Sequence, residues 1–235
     1  MPELSLVCVP FAGAGAMSFR SWNAPAEPDI RIVPVRLPGR ERLIEEEPLR
    51  SVPEAVRLVL PELLEAVRGT RVALFGHSSG GVLAYALALE LAAAPDVEVV
   101  RLFASGAPAP GAPRSRRATG LPDEQFIERI EEFAGYRHPA LDNPGMRELI
   151  LPTLRADVEM YETYRFDPDA VLPVGITALR GRDDECVELA EARAWERATS
   201  ADFTLVEMAG GHMYLNNAVP DVLGIVRAAT AAAAV

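Results

Sequence analysis

The chain has 235 residues, the size of one large α/β domain. Hydrophobic residues make up 49% and charged residues 24%, which permits a sizeable core and excludes wholesale disorder. With 23 Lys and Arg against 34 Asp and Glu the formal charge is −11, which argues against binding to nucleic acid or to anionic membranes but leaves room for a local basic patch.

Leu4 to Val9 reads as a strand and Ile30 to Val35 as a second. Ser51-Val-Pro-Glu54 is a capping box with proline in the first turn, and behind it Val56, Leu60, Leu63, Leu64 and Val67 share one helical face. Val72 to Phe75 has the composition of a buried strand, Gly80 to Ala94 of a helix, and Val97 to Ala104 of a further strand. Val174 to Leu179, a helix around Ala190 to Ala198, the strand Phe203 to Met208 and a helix from Val219 follow. This alternation predicts an α/β fold, a parallel sheet with helices on both faces.

One interval breaks the rhythm. About 70 residues separate the strands ending near Ala104 and starting near Val174, against about 30 in a simple βαβ unit. It opens on Gly106-Ala-Pro-Ala-Pro-Gly-Ala-Pro113, a hinge-like composition. Two helical patterns follow, one carrying Phe126, Ile127, Ile130 and Phe133, the other Leu151, Leu154, Val158 and Tyr161. The expectation is one domain over 1–235 with a helical lid inserted over 106–170; an added helical layer that only packs on the sheet is the alternative.

Cys8 and Cys186 cannot build a disulfide framework or a structural zinc site, and are expected to be reduced thiols. The N-terminus has no basic region or cleavage pattern of a signal peptide. The most apolar stretch, Val82 to Ala94, is too short to span a bilayer and contains Glu90. A soluble, cytoplasmic protein is expected.

The sharpest chemical signal is Gly76-His77-Ser78-Ser79-Gly80, which follows a strand and opens a helix. This is the G-x-S-x-G nucleophile elbow in its strand–turn–helix context. Ser78 is then the nucleophile, and the backbone N–H of Ser79 an oxyanion donor. The base must be a histidine, and there are three. His77 sits on the elbow pointing the wrong way and His138 lies in the lid, which leaves His212 in the glycine-rich Ala209-Gly-Gly-His-Met-Tyr214. Its orienting acid should lie after the strand that ends near Leu179, where Asp183, Asp184 and Glu185 are neighbours. A Gly-x-x-Asp-x-x-Val turn selects Asp184, with Asp183 as runner-up. A second oxyanion donor should come from the loop Pro10-Phe11-Ala12-Gly13, through the amide of Phe11 or Ala12.

Beyond single motifs, the chain resembles the type II thioesterases that accompany polyketide synthases and non-ribosomal peptide synthetases, which are α/β-hydrolases. The resemblance runs nearly end to end. It rests on Pro10-Phe-Ala-Gly13 with Phe19 and Trp22, Leu37-Pro-Gly-Arg40, Gly76-His-Ser-Ser-Gly-Gly81, Leu121-Pro-Asp-Glu-Gln-Phe126, Leu151-Pro-Thr-Leu-Arg-Ala-Asp157, Gly181-Arg-Asp-Asp184 with Trp195, and Gly210-Gly-His-Met213. The family often has Met or Leu where this chain has Ser79, and His where it has Phe11. Neither change removes a catalytic group.

The resemblance implies hydrolysis of acyl groups from the phosphopantetheine arm of acyl or peptidyl carrier proteins, which clears stalled or aberrant intermediates. It also implies a monomer. Phe126, Phe133, Tyr136, Met160 and Tyr164 are candidates to line an acyl chamber, although packing core is the simpler reading of each. Arg114, Arg116 and Arg117 are candidates to meet the carrier or its pantetheine phosphate. No metal cluster, dinucleotide fingerprint or P-loop appears in the sequence, so no bound cofactor is expected; the pantetheine belongs to the partner. A general carboxylesterase, an acyltransferase with the same triad, and a non-catalytic carrier-binding scaffold are the competing readings.

Overall fold

The computed structural model describes residues 4–26, 28–112, 117–134 and 139–231. Its strands are β1 (Leu4–Val9), β2 (Ile30–Pro34), β3 (Arg71–His77), β4 (Glu98–Ser105), β5 (Gly175–Gly181) and β6 (Phe203–Met208). They form a single sheet in the order β2-β1-β3-β4-β5-β6, with every neighbouring pair parallel.

A parallel sheet covered on both faces needs strands that are apolar throughout, and β1 is buried at all six positions. Alternate residues serve opposite faces. Val7, Val9, Val72 and Leu74 pack with α2 (Val52–Val67) and α3 (Ser79–Ala92). Leu6, Cys8, Ala73 and Phe75 pack with Phe19, Trp22, α1 (Asn23–Ala26) and α7 (Val219–Ala231).

Two helices differ from expectation. Ser51 caps α2 by accepting the Glu54 N–H at 3.3 Å, but the buried stripe of that helix is Val52, Ala55, Val59, Leu63 and Val67. Val56, Leu60 and Leu64 flank it, only partly buried. The expected helix over 190–198 is α6 (Leu189–Arg193) followed by a 3-10 turn (Ala194–Ala198). The tighter turn carries the buried Trp195, whose indole N–H donates to the Ala107 carbonyl at 2.8 Å.

The interval between β4 and β5 holds α4 (Asp123–Ala134), a short 3-10 turn (Pro139–Asp142) and α5 (Pro144–Thr163). Phe126 and Ile127 of α4 pack with Leu141 and with Leu151, Leu154 and Val158 of α5 in a cluster of their own. α5 has a second face: Met160 lies in the main core, with Tyr161 and Tyr164 packed against it. Glu162 holds the start of the interval by accepting the N–H groups of Ala118 and Thr119 at 2.7 and 3.0 Å. Among the described residues no helix is long and apolar enough to cross a membrane. Cys8 is buried, Cys186 half-buried, and the two are unbridged.

Candidate active site

The sheet order brings four segments to its carboxyl edge, and each contributes one part of the site. At the end of β3 the chain turns sharply into α3, and Ser78 occupies the turn with φ 53° and ψ −125°. A non-glycine residue there stores about 1–3 kcal/mol of strain, which close packing must hold. That packing explains the flanking glycines. A Cβ on Gly80 would come within 2.5 Å of the Pro10 carbonyl oxygen, and one on Gly76 would run into the Gly80 carbonyl. The Ser78 N–H donates to the Ser105 carbonyl at 2.8 Å, which ties the elbow to the end of β4.

His212 reaches the elbow from the loop after β6. Its Nε2 lies 3.1 Å from Ser78 Oγ and its Nδ1 lies 2.9 Å from Asp184 Oδ2. With a proton on Nδ1 donated to the carboxylate, the Nε2 lone pair faces the serine hydroxyl. Asp184 stands in the turn after β5, its side chain fully buried. Its Oδ1 accepts the N–H groups of Cys186 at 2.8 Å and Val187 at 3.1 Å. Burial alone would push this carboxyl up. The hydrogen bond and charge of His212 and the two backbone N–H groups outweigh that and hold it below its ordinary range. Asp183 and Glu185 are exposed. Arg180 fixes the turn by donating to the carbonyls of Val187 at 2.6 Å and Asp184 at 2.9 Å. Nothing local in the sequence marks that role.

Two segments hold the N–H groups expected as oxyanion donors. Ser79 is the first residue of α3, where the helix leaves its N–H unsatisfied and its dipole favours negative charge. In the loop after β1, the Gly13 N–H goes to Asp157 Oδ2 at 2.8 Å and the Ala14 N–H to the Phe11 carbonyl at 2.9 Å. Among the described residues, the amides of Phe11 and Ala12 have no such acceptor.

A buried polar chain runs beneath His212, invisible to sequence motifs. His77 Nδ1 is 2.8 Å from Ser105 Oγ, which is 2.5 Å from the Tyr214 hydroxyl. His77 Nε2 is buried and has no partner among the described residues. Burial, reinforced by the nearby His212 charge, keeps the His77 pKa well below the ordinary histidine value.

Of the five aromatic and methionine candidates, Met160 lines a small apolar pocket of about 20 Å³ with Pro10, Ser79 and Leu83. Phe126 is wholly buried between α4 and α5, with the Arg155 guanidinium 4.2 Å above its ring. Phe133 packs on the same cluster, and Tyr164 packs against the main core. Tyr136, Arg114, Arg116 and His138 lie outside the described residues, and Arg117 is exposed. Asp184, Cys186 and His212 bring potential metal ligands within 4.8 Å of one another, but the carboxylate and imidazole of this set already satisfy each other.

Residues 5–230 match the Thioesterase domain family. The chain is 32% identical over 214 residues to the gramicidin S biosynthesis protein GrsT of Aneurinibacillus migulanus, covering 91% of this chain and 83% of that one. Among solved structures it is similar to BorB, the type II thioesterase from the borrelidin biosynthetic cluster. The TM-score is 0.87 and the identity 33%, over 98% of this chain and 95% of that one. It is also similar to YbtT, a type II thioesterase from the yersiniabactin NRPS/PKS pathway, with TM-score 0.89 and 30% identity over 99% and 94% of the two chains.

Proposed function

The chain belongs to the thioesterase domain family, and on that premise we propose that it is an editing hydrolase of acyl groups held on carrier proteins in polyketide or non-ribosomal peptide biosynthesis. The observation that carries the reading is the serine–imidazole–carboxylate line, with contacts of 3.1 and 2.9 Å. In this reading Ser78 Oγ attacks the thioester carbonyl carbon while His212 Nε2 takes the hydroxyl proton. The N–H of Ser79, with that of Phe11 or Ala12, holds the oxyanion. The tetrahedral intermediate collapses by breaking the carbon–sulfur bond, and His212 returns its proton to the departing pantetheine thiol. His212 next deprotonates a water that attacks the acyl-serine ester, releasing the free acid and restoring Ser78. Asp184 holds the imidazole tautomer and stabilises its charge.

The lid role assigned to residues 106–170 belongs to the same proposal. It is supported by α5, whose Met160 and Tyr161 line the small pocket beside Ser79 while its other apolar face packs with α4; in this reading the acyl group enters there and the pantetheine arm comes from the surface. Arg117, with Arg114 and Arg116, is proposed to meet the acidic carrier or the pantetheine phosphate. Since the chain itself carries −11, steering of such a partner has to be local.

The test is hydrolysis of acyl-carrier proteins, from short to long acyl, beside the same acyl groups on free coenzyme A and as simple esters, with Ser78→Ala as the blank. Serine-dependent release that is faster from carriers is the expected result. Preference for free esters would make the enzyme a general carboxylesterase. Transfer to an added alcohol or amine would make it an acyltransferase. No reaction, with no labelling of Ser78 by a phosphonate, would leave a carrier-binding scaffold.

A further inference from the structure

Two stretches that carry the family likeness, Leu37-Pro-Gly-Arg40 and Leu151-Pro-Thr-Leu-Arg-Ala-Asp157, contribute nothing to the chemistry described so far. In the folded chain they meet. Arg40 Nη1 and Nη2 donate to the two carboxylate oxygens of Asp157, both at 2.7 Å, and each side chain is at most 8% exposed. Thr153 Oγ1, one turn earlier on α5, donates to the Gly39 carbonyl at 2.5 Å. Arg40 Nε also donates to the Pro38 carbonyl at 3.3 Å, and two further bonds run from the pair to the loop after β1. Asp157 Oδ2 accepts the Gly13 N–H at 2.8 Å, and Arg40 Nη1 donates to the Ala14 carbonyl at 2.8 Å.

We propose that the Arg40–Asp157 pair is a positioning device for the oxyanion hole, a clamp through which α5 sets the peptide planes of residues 11–13. The inference rests on the reading of Ser78 as nucleophile and of the Phe11 or Ala12 amide as oxyanion donor. The geometry has two consequences for that loop. The Gly13 N–H is turned onto the carboxylate and the Ala14 N–H onto the Phe11 carbonyl, so neither competes for the oxyanion. The remaining N–H groups, those of Phe11 and Ala12, belong to the two peptide units just before the one whose N–H is held by Asp157. A buried bidentate pair is rigid, and an oxyanion donor displaced by a fraction of an ångström loses much of its effect. Gly13 makes the close approach possible: at φ 76° it adopts a conformation open to glycine, and a Cβ would meet Leu154 Cδ1 at 3.2 Å. The interval between β4 and β5 is thus more than a cover, because one of its helices supplies part of the frame of the reaction centre.

A buried ion pair can be exchanged for apolar residues of similar volume with little loss of stability. The double variant Arg40→Met/Asp157→Leu therefore separates a positioning role from a structural one. The readouts are the thermal midpoint, kcat and KM on an acyl-coenzyme A thioester, and affinity for a boronic acid that forms a tetrahedral adduct on Ser78. The clamp predicts a near-native midpoint, kcat lower by about 10- to 100-fold with KM within about twofold, and boronate affinity weakened in parallel. Wild-type kcat and boronate affinity in the folded double variant would overturn the proposal. Should that variant fail to fold, Asp157→Asn answers instead: its Oδ1 can still accept the Gly13 N–H while its amide group opposes an Arg40 donor. A lowered kcat with weakened boronate binding supports the clamp, and an unchanged kcat sinks it. A wild-type protein without serine-dependent thioesterase activity would count against the function itself, whereas an active wild type beside an equally active variant counts only against the clamp.

Discussion

The imidazole of His77, wholly buried, lies 5.2 Å centre to centre from that of His212 and is tilted 45° to it. Two imidazolium ions at that distance would repel, and only His212 has a carboxylate beside it. Burial first, and that repulsion second, hold the His77 pKa well below the ordinary histidine value.

That arrangement fixes a pH dependence of stability. The unfolded chain protonates His77 near pH 6.5, and the folded chain only well below that. In between, the unfolded state binds more protons, so stability falls as pH drops below about 6.5, by at most about 1.4 kcal/mol per pH unit from this residue. Urea unfolding at pH 7.5, 6.5 and 5.5 measures the slope. His77→Gln should flatten it. Asp184 does not confound the comparison, because a carboxyl held below its ordinary range loses its stabilising contribution only as pH falls below about 3.9.

Asp184→Asn removes the group that holds the His212 tautomer and should lower kcat by about 10³- to 10⁴-fold, with phosphonate labelling of Ser78 slowed in step. Asp183→Asn, an exposed change one residue away, should leave kcat near wild type. The reverse result would transfer the orienting role to Asp183.

Met160 and Phe126 should behave differently although both lie in the interval between β4 and β5. Met160→Trp narrows the pocket beside Ser79 and is expected to shift the substrate preference toward shorter acyl groups, read as kcat/KM along the acyl series. Phe126→Ala empties the cluster between α4 and α5 and should cost about 3–5 kcal/mol in the stability of that helical pair, seen as faster proteolysis there with an unchanged ranking of acyl groups.

Gly80→Ala places a methyl group within 2.5 Å of the Pro10 carbonyl oxygen, so either the elbow or the loop after β1 must move. Expression with a reduced thermal midpoint and kcat down by at least about tenfold is expected, because both possible movements displace an N–H of the proposed oxyanion hole. A fully active Gly80→Ala protein would show that the elbow tolerates the shift.

How much of this was readable from the chain alone follows the range of each signal. Strands β1 and β6, the Ser51 cap and the elbow are written in a few consecutive residues, and the structure places them within a residue or two of their expected bounds. The alternation that predicts a parallel sheet is the same kind of signal repeated. What was missed depends on residues far apart. Arg40 meets Asp157 across 117 positions and His77 reaches Ser105 across 28, and neither pairing leaves a periodic trace. The acyl-chamber candidates fall in different surroundings for a geometric reason. α5 has two apolar faces, and periodicity does not tell which one turns to its neighbour Phe126 and which to the pocket at Met160. Three adjacent carboxylates were ambiguous because only the buried end of the β5 turn distinguishes Asp184 from its neighbours.

The all-parallel sheet has a kinetic consequence. Ser78 and His212 are 134 residues apart, and their meeting requires β3, β4, β5 and β6 to be assembled side by side, each pairing spanning a long stretch of chain. Parallel pairings of this kind form slowly, since the entropy of closing a long loop is lost before the contacts that offset it are made. The half of the chain that holds Ser78, the proposed nucleophile, can collapse around β1 and β3 with that serine in place and still lack His212, its proposed base. In a refolding experiment, hydrolytic activity should accordingly return with the slowest phase, after most of the helical signal has recovered.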